Sequence, residues 1–207
     1  MDKLGIFGGT FNPIHNGHVS LAKHYIQALG LDELLIIPTK QPPHKSAPDL
    51  APASARLRLC RLAFAGVPEA VVSDMEIVRS GKSYTVDTVA QLRAMYPHAE
   101  LYLLVGSDMF LTFSQWRQWQ RILQEVTLCT AAREQAQMKQ LADCARTLEP
   151  FGKVQIFDFP VLELSSTRIR ERIAQGLDCT GLLDSQVYAQ IRQLGLYRNE
   201  KQGAENR

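Results

Sequence analysis

Two kinds of apolar pattern alternate along this chain. Short continuous apolar runs read as buried strands, and longer stretches with hydrophobic residues every three or four positions read as amphipathic helices. Leu4–Phe7 is a first strand, and Val19, Ala22, Ile26 and Leu29 then fall at helical spacing, predicting a helix over about 17–29. Glu33–Ile37 is a second strand, stopped by Pro38. Four prolines within 39–52 predict a long irregular loop. The pattern continues with a helix at 53–65, a strand at 70–77, a helix at 84–96 and a strongly apolar strand at 101–105. Helical segments at 107–113 and 115–124, a strand at 126–131, a polar helix at 134–148 and a strand at 153–157 follow, and the chain is mostly helical from Ser166.

Strand and helix in repeated alternation, with strands apolar on both faces, predict an α/β fold: a parallel sheet with helices on both sides. Ligands in such folds sit at the carboxyl ends of the strands, where the strand order switches. The loops at 8–18, 38–46, 106–109 and 131–134 are therefore the places to look, together with the turn before the helix at 166.

The first of these loops reads G-G-T-F-N-P-I-H-N-G-H, from Gly8 to His18. Its glycines let backbone approach a ligand, and the helix opening near Asn16 offers free N–H groups to an anion. His15 and His18, three apart, can face one point. Capping or surface histidines are the plainer reading, and a metal pair would need a third ligand that no spacing supplies. Near the other end, L-S-S-T-R-I-R-E-R (Leu164–Arg172) puts three hydroxyl residues before a helix with arginines in its first turns. It is either a capped basic surface helix or a second anion site. Gly81-Lys82-Ser83 imitates the end of a P-loop, but that motif would need glycine at Glu76, so the reading fails.

Composition narrows this little. A chain of 207 residues can bury about 70% of its unfolded surface, enough for one domain without a staple. A net charge of +2 argues against a broad nucleic-acid surface. Cys60, Cys129, Cys144 and Cys179 are scattered, which fits a reducing compartment and no cysteine-based zinc site. No signal peptide or membrane span is expected, so the predicted location is cytoplasmic. A homo-oligomer is left open.

These motifs resemble a known family. His15-Asn16-Gly17-His18 is similar to the H-x-G-H signature of the nucleotidyltransferase superfamily, and Leu164–Arg170 to its I-S-S-T-x-I-R signature, with Leu164 for the usual Ile. The run Gly8–His18 resembles the start of bacterial nicotinate-nucleotide adenylyltransferases, with Asn12 where many members carry Asp. Pro42-Pro43-His44-Lys45 resembles a further segment of that family, and Ser83–Thr88 and Trp116-x-x-Trp119 resemble elements of that branch which the phosphopantetheine and cytidine branches lack. The resemblance spans residues 4 to about 198.

It implies a Rossmann-like doubly wound parallel sheet with a small C-terminal helical region from about 165, in one domain over 1–207 with a disordered tail at 199–207. It implies transfer of the adenylyl group of ATP to nicotinate mononucleotide, the alternative being a same-fold enzyme acting on nicotinamide mononucleotide or phosphopantetheine. The implied catalytic residues are His18, His15, Lys45 and Arg170. Gly8, Gly9, Thr10, Phe11, Gly106, Asp108, Ser165, Ser166 and Thr167 join the histidines and Arg170 in holding ATP, Asp108 at a ribose hydroxyl. Tyr84 and Thr85 would meet the pyridine carboxylate, Trp116 would stack on the ring, and Lys45 and Arg133 would complete the acceptor site. Arg133 heads Arg-Glu-Gln where the family has R-P-G. Mg²⁺ would arrive with ATP, without dedicated protein ligands.

Overall fold

The computed structural model describes residues 2–41, 49–132, 134, 136–160 and 162–198. Its elements in chain order are β1 (Lys3–Gly9), α1 (Asn16–Leu29), β2 (Glu33–Pro38), α2 (Ala53–Ala63), β3 (Ala70–Val72), α3 (Met75–Val78), α4 (Thr85–Met95), β4 (Glu100–Val105), α5 (Ser107–Leu111), α6 (Trp119–Glu125), β5 (Thr127–Ala131), α7 (Gln137–Leu148), β6 (Val154–Phe157), α8 (Ser166–Ala174) and α9 (Ser185–Gln193). The six strands form one parallel sheet in the order β3-β2-β1-β4-β5-β6, the doubly wound, Rossmann-like architecture expected.

The continuous apolar runs are explained by a core on each face. Successive strand residues point to opposite sides, so Leu34, Ile36, Tyr102, Leu104 and Cys129 share one core, while Leu35, Ile37, Leu101, Leu103 and Leu128 share the other. The first core is closed by α1, α2, α8 and α9 through Tyr25, Leu59, Ile169 and Ile191. The second is closed by α4 to α7 through Val89, Phe110, Ile122 and Leu141. The C-terminal helices thus cover the same face as α1. No described helix is long and apolar enough to cross a membrane. The four cysteines are free, and burial raises every thiol pKa, which keeps them in the thiol form.

The register opens a crevice at the switch in strand order. β1 and β4 pair from Lys3↔Glu100 to Ile6↔Leu103 and then part. Beyond that point β1 follows β2 as far as Gly9↔Pro38, and β4 follows β5 as far as Val105↔Thr130. Gly8 and Gly9 therefore end a strand rather than open a loop, and they line one side of the split.

Two expected elements differ. The strand expected over 70–77 stops at Val72. Ser73 still donates its N–H to the Ile36 carbonyl, but Asp74 then accepts from Ile77 and Val78, making one helical turn. Buried Glu76 accepts a hydrogen bond from Thr88 of α4 at 2.7 Å, so a tertiary contact draws this apolar stretch off the sheet edge. Likewise, Trp116 and Trp119 do not share a helix. A 3-10 turn at Phe113–Gln115 leads to an extended Trp116, Gln118 is left-handed with φ 53°, and α6 starts only at Trp119. The fully buried Phe113 ring pins this turn, with the two indole centroids 5.1 and 6.5 Å away. The polar helix expected from 134 begins at Gln137, and the tail at 199–207 lies outside the described residues.

Ile36 lies on β2, an interior strand of the sheet, with no exposed surface. Truncation to Ala leaves a cavity, and Ile36→Ala is expected to cost about 2–5 kcal/mol of unfolding free energy. Urea denaturation checks this; a loss below about 1 kcal/mol would mean the core collapses around the site.

Candidate active site

The chain leaves β1 through a tight turn. Phe11 takes φ 46° and the Asn12–Pro13 peptide is cis. His15 is the N-cap of α1, and its N–H donates to Nδ1 of His18 at 3.3 Å. The two imidazoles stack with centroids 3.6 Å apart, and the buried Phe11 ring meets His18 edge-on at 5.2 Å. Accepting at Nδ1 requires that nitrogen to be unprotonated, so in the neutral ring the proton sits on Nε2. Phe11 therefore contributes its side chain to fixing His18, and only its backbone remains for a ligand. A Cβ on Gly8 would meet nothing within 4 Å, so the strand end is open there.

The turn before α8 docks onto the first. Ser166 donates its hydroxyl to the Pro13 carbonyl at 2.9 Å, and Arg170 donates Nη1 to the Asn12 carbonyl at 2.9 Å. Arg170 also reaches the Thr167 hydroxyl at 3.5 Å. Ser165 and Thr167 are exposed, and Ser165 is the N-cap of α8 without a side-chain cap bond among the described residues. Gly17 makes the close approach possible. A Cβ there would lie 3.0 Å from the Leu162 carbonyl and 3.1 Å from His15 Nδ1. Two motifs about 150 residues apart in sequence thus share one wall of the crevice. Across the split, Gly106 caps α5 and Asp108 stands exposed in its first turn.

A second group gathers at the start of α4. Tyr84 is its N-cap and Thr85 its first residue. The Arg117 guanidinium lies over the Tyr84 ring, 4.7 Å from its centroid, which brings the half-buried Trp116 turn to the same place. The segment after β2 joins the two groups: Thr39 N–H bonds the Gly9 carbonyl, and Ser83 N–H bonds that of Gln41. Lys45 and Arg133 lie outside the described residues.

Three structurally central residues were not among the expected site residues. Asn12, 6% exposed, donates Nδ2 to the Asp49 carbonyl and accepts at Oδ1 from Ala51 N–H and from the Tyr197 hydroxyl at 2.8 Å. Burial raises the Tyr197 phenol pKa, so the phenol remains the donor in that bond. Arg56 has no exposed surface, and burial lowers its pKa from that of a free guanidinium. Its place three and four residues before the buried Leu59 and Cys60 puts it on the inward face of α2, unlike Arg58 and Arg61 on the outer face of the same helix, and that spacing is the signal that could have found it.

The donors at the crevice are imidazole, hydroxyl, guanidinium and helix-start N–H groups, a set suited to phosphate oxygens. Among the described residues no three His, Cys, Asp or Glu side chains gather as metal ligands. A divalent ion fits this donor set only as part of a phosphate-bearing ligand.

Residues 6–172 match the cytidylyltransferase-like family model, so the chain belongs to that class of nucleotidyltransferases. A probable nicotinate-nucleotide adenylyltransferase of Neisseria meningitidis serogroup B is 38% identical over 202 residues, covering 95% of this chain and 99% of that one. One from Clostridium tetani is 34% identical, covering 96% and 100%. Within its class, the chain is a member of the nicotinate-nucleotide adenylyltransferase family. The fold is shared with Plasmodium falciparum nicotinic acid mononucleotide adenylyltransferase complexed with NaAD, with a TM-score of 0.80 at 17% identity over 95% of this chain and 98% of that one.

Gly17→Ala is expected to push His15 against its neighbours and to cost about 1–3 kcal/mol, the usual scale of overpacking. A urea midpoint equal to that of the parent would show that Leu162 and His15 yield without strain.

Proposed function

We propose that this chain transfers the adenylyl group of ATP to nicotinate mononucleotide, releasing pyrophosphate and forming deamido-NAD, with residues 1–207 acting as one cytoplasmic unit in pyridine nucleotide synthesis. The observation that carries this reading is the docking of Ser166 and Arg170 onto the Asn12–Pro13 turn, which joins both phosphate-type motifs in one crevice. Neither nucleic acid nor a membrane is required.

The attacking group is a phosphate monoester with a second pKa near about 6, already mostly dianionic at neutral pH. No general base is needed. The difficulty is the approach of two polyanions, so the enzyme must align them and offset charge. His18, with its proton on Nε2, is assigned to the α-phosphate, where negative charge grows in the in-line transition state. His15 and Lys45 hold further phosphate oxygens. The backbone of Gly8, Gly9, Thr10 and Phe11 lies along the nucleotide. Gly106 and Asp108 face the ribose across the split. Ser165, Ser166, Thr167 and Arg170 receive the leaving pyrophosphate. Arg170 spends two of its five N–H donors on Asn12 and Thr167, leaving the others for phosphate. Mg²⁺ bound to the ATP phosphates supplies further charge neutralisation, held by the nucleotide and water.

Specificity for the acid is assigned to the second group. The start of α4 at Tyr84 and Thr85 presents N–H donors to the pyridine carboxylate, Trp116 stacks on the ring, and Arg133 belongs to the same acceptor site.

His18→Ala is expected to lower kcat by about 10²–10³-fold, the scale of one lost transition-state donor. Pyrophosphate release from ATP with a panel of acceptor monophosphates measures this, and near-normal turnover by the folded variant removes the assignment. A hydrogen bond to a carboxylate is worth about 1 kcal/mol more than one to a neutral amide, so the two helix-start donors together favour the acid by about 2 kcal/mol. The expected preference in kcat/KM for nicotinate over nicotinamide mononucleotide is therefore about 10- to 100-fold. Equal values, or a faster reaction with phosphopantetheine, would reassign the acceptor.

A further inference from the structure

Arg56 is a buried cation that the assigned chemistry does not use. The described ion pairs are Arg93–Glu125 and Arg146–Asp143, and Arg56 has no carboxylate partner among the described residues. It binds three backbone carbonyls instead. Nε donates to Ala51 at 3.0 Å, Nη1 to Thr10 at 2.6 Å and Nη2 to Lys40 at 3.1 Å. Burying an unpaired charge costs several kcal/mol, so an apolar residue here would be the cheaper choice if packing were the only need.

The three carbonyls lie on separate stretches of chain. Thr10 follows the strand that ends in Gly8-Gly9, and Lys40 and Ala51 bracket the sequence that contains Lys45. One rigid fork joins them. Asn12 fastens the same joint from the other side through Asp49 and Ala51. Only a planar group with diverging donors meets three such acceptors, and an ammonium cannot span them.

We infer that Arg56 is a positioning residue for adenylyl transfer, locking the Thr10 turn and both ends of the 41–50 segment into one body so that the phosphate-holding groups meet ATP in register. The inference rests on the reading that this turn receives the ATP phosphates.

Arg56→Lys keeps the charge and removes the fork. The expected result is a kcat lower by about 10- to 100-fold, the effect of a misplacement approaching 1 Å. Affinity for a non-hydrolysable ATP analogue, measured by calorimetry, is expected to stay within about threefold, because the positive charge is retained. A purely structural residue would lower Tm and leave kcat per folded molecule intact. Asn12→Ala opens the same joint without touching Arg56 and is the second variant, with a fall of the same order expected. A kcat within about threefold of the parent in either folded variant overturns the inference. Absence of analogue binding and pyrophosphate release in the parent protein would instead overturn the nucleotide reading beneath it.

Discussion

Backbone carbonyls in the turn after β1 need donors, and three of them take theirs from outside the turn. A buried carbonyl left unpaired costs free energy comparable to a lost hydrogen bond. The carbonyls of Thr10, Asn12 and Pro13 are instead met by side chains from distant helices: Arg56 of α2, Arg170 of α8 and Ser166 of α8. This requirement ties both helices to the end of the first strand and fixes the wall of the crevice. Arg170 has more donors than it spends on the turn and on Thr167, so satisfying this backbone also holds a guanidinium at the wall of the crevice.

The crevice follows from the sheet. A parallel sheet wound from a central strand in both directions must leave two neighbouring strands whose connections depart to opposite faces. Here they are β1 and β4, whose pairing stops at Ile6↔Leu103. The helix after β1 covers one core and the helices after β4 the other, so the two connections leave the split in opposite directions. Glycine at 17 then lets the chain before α8 lie against the start of α1, where a methyl group would stand 3.0 Å from the Leu162 carbonyl. Residues at opposite ends of the chain become neighbours because the same face of the sheet carries both α1 and the C-terminal helices.

Support for the imidazoles is layered in the same way. His18 is held by the His15 amide, by the stacked His15 ring and by the edge of Phe11, which itself packs on Phe7 of the strand. An aromatic chain thus leads from the sheet core to the candidate phosphate donor. Arg56 and Asn12 support the other side of the turn by hydrogen bonds alone. Such a site depends on polar geometry being complete, since a single missing donor leaves a buried carbonyl unpaired.

The strand–helix alternation was legible in the sequence because periodicity is a local property, and the family because its motifs are short runs; Tyr84, Thr85 and Trp116 stood out only through that resemblance. The apolar stretch Met75–Val78 misled, since hydrophobicity alone does not separate a strand from a buried helical turn. The Trp116 turn misled for a related reason: Phe113 anchors it by burial, and local spacing carries no record of that. Arg56 is the plainest case. Its spacing to Leu59 and Cys60 puts it on the inward face of α2, but nothing local names the three carbonyls that its guanidinium meets. Local order thus determined the elements, the edge where a ligand belongs and the family. Which side chain meets which carbonyl was decided by the packed chain, because that pairing is set by three-dimensional closure and leaves no period in the sequence.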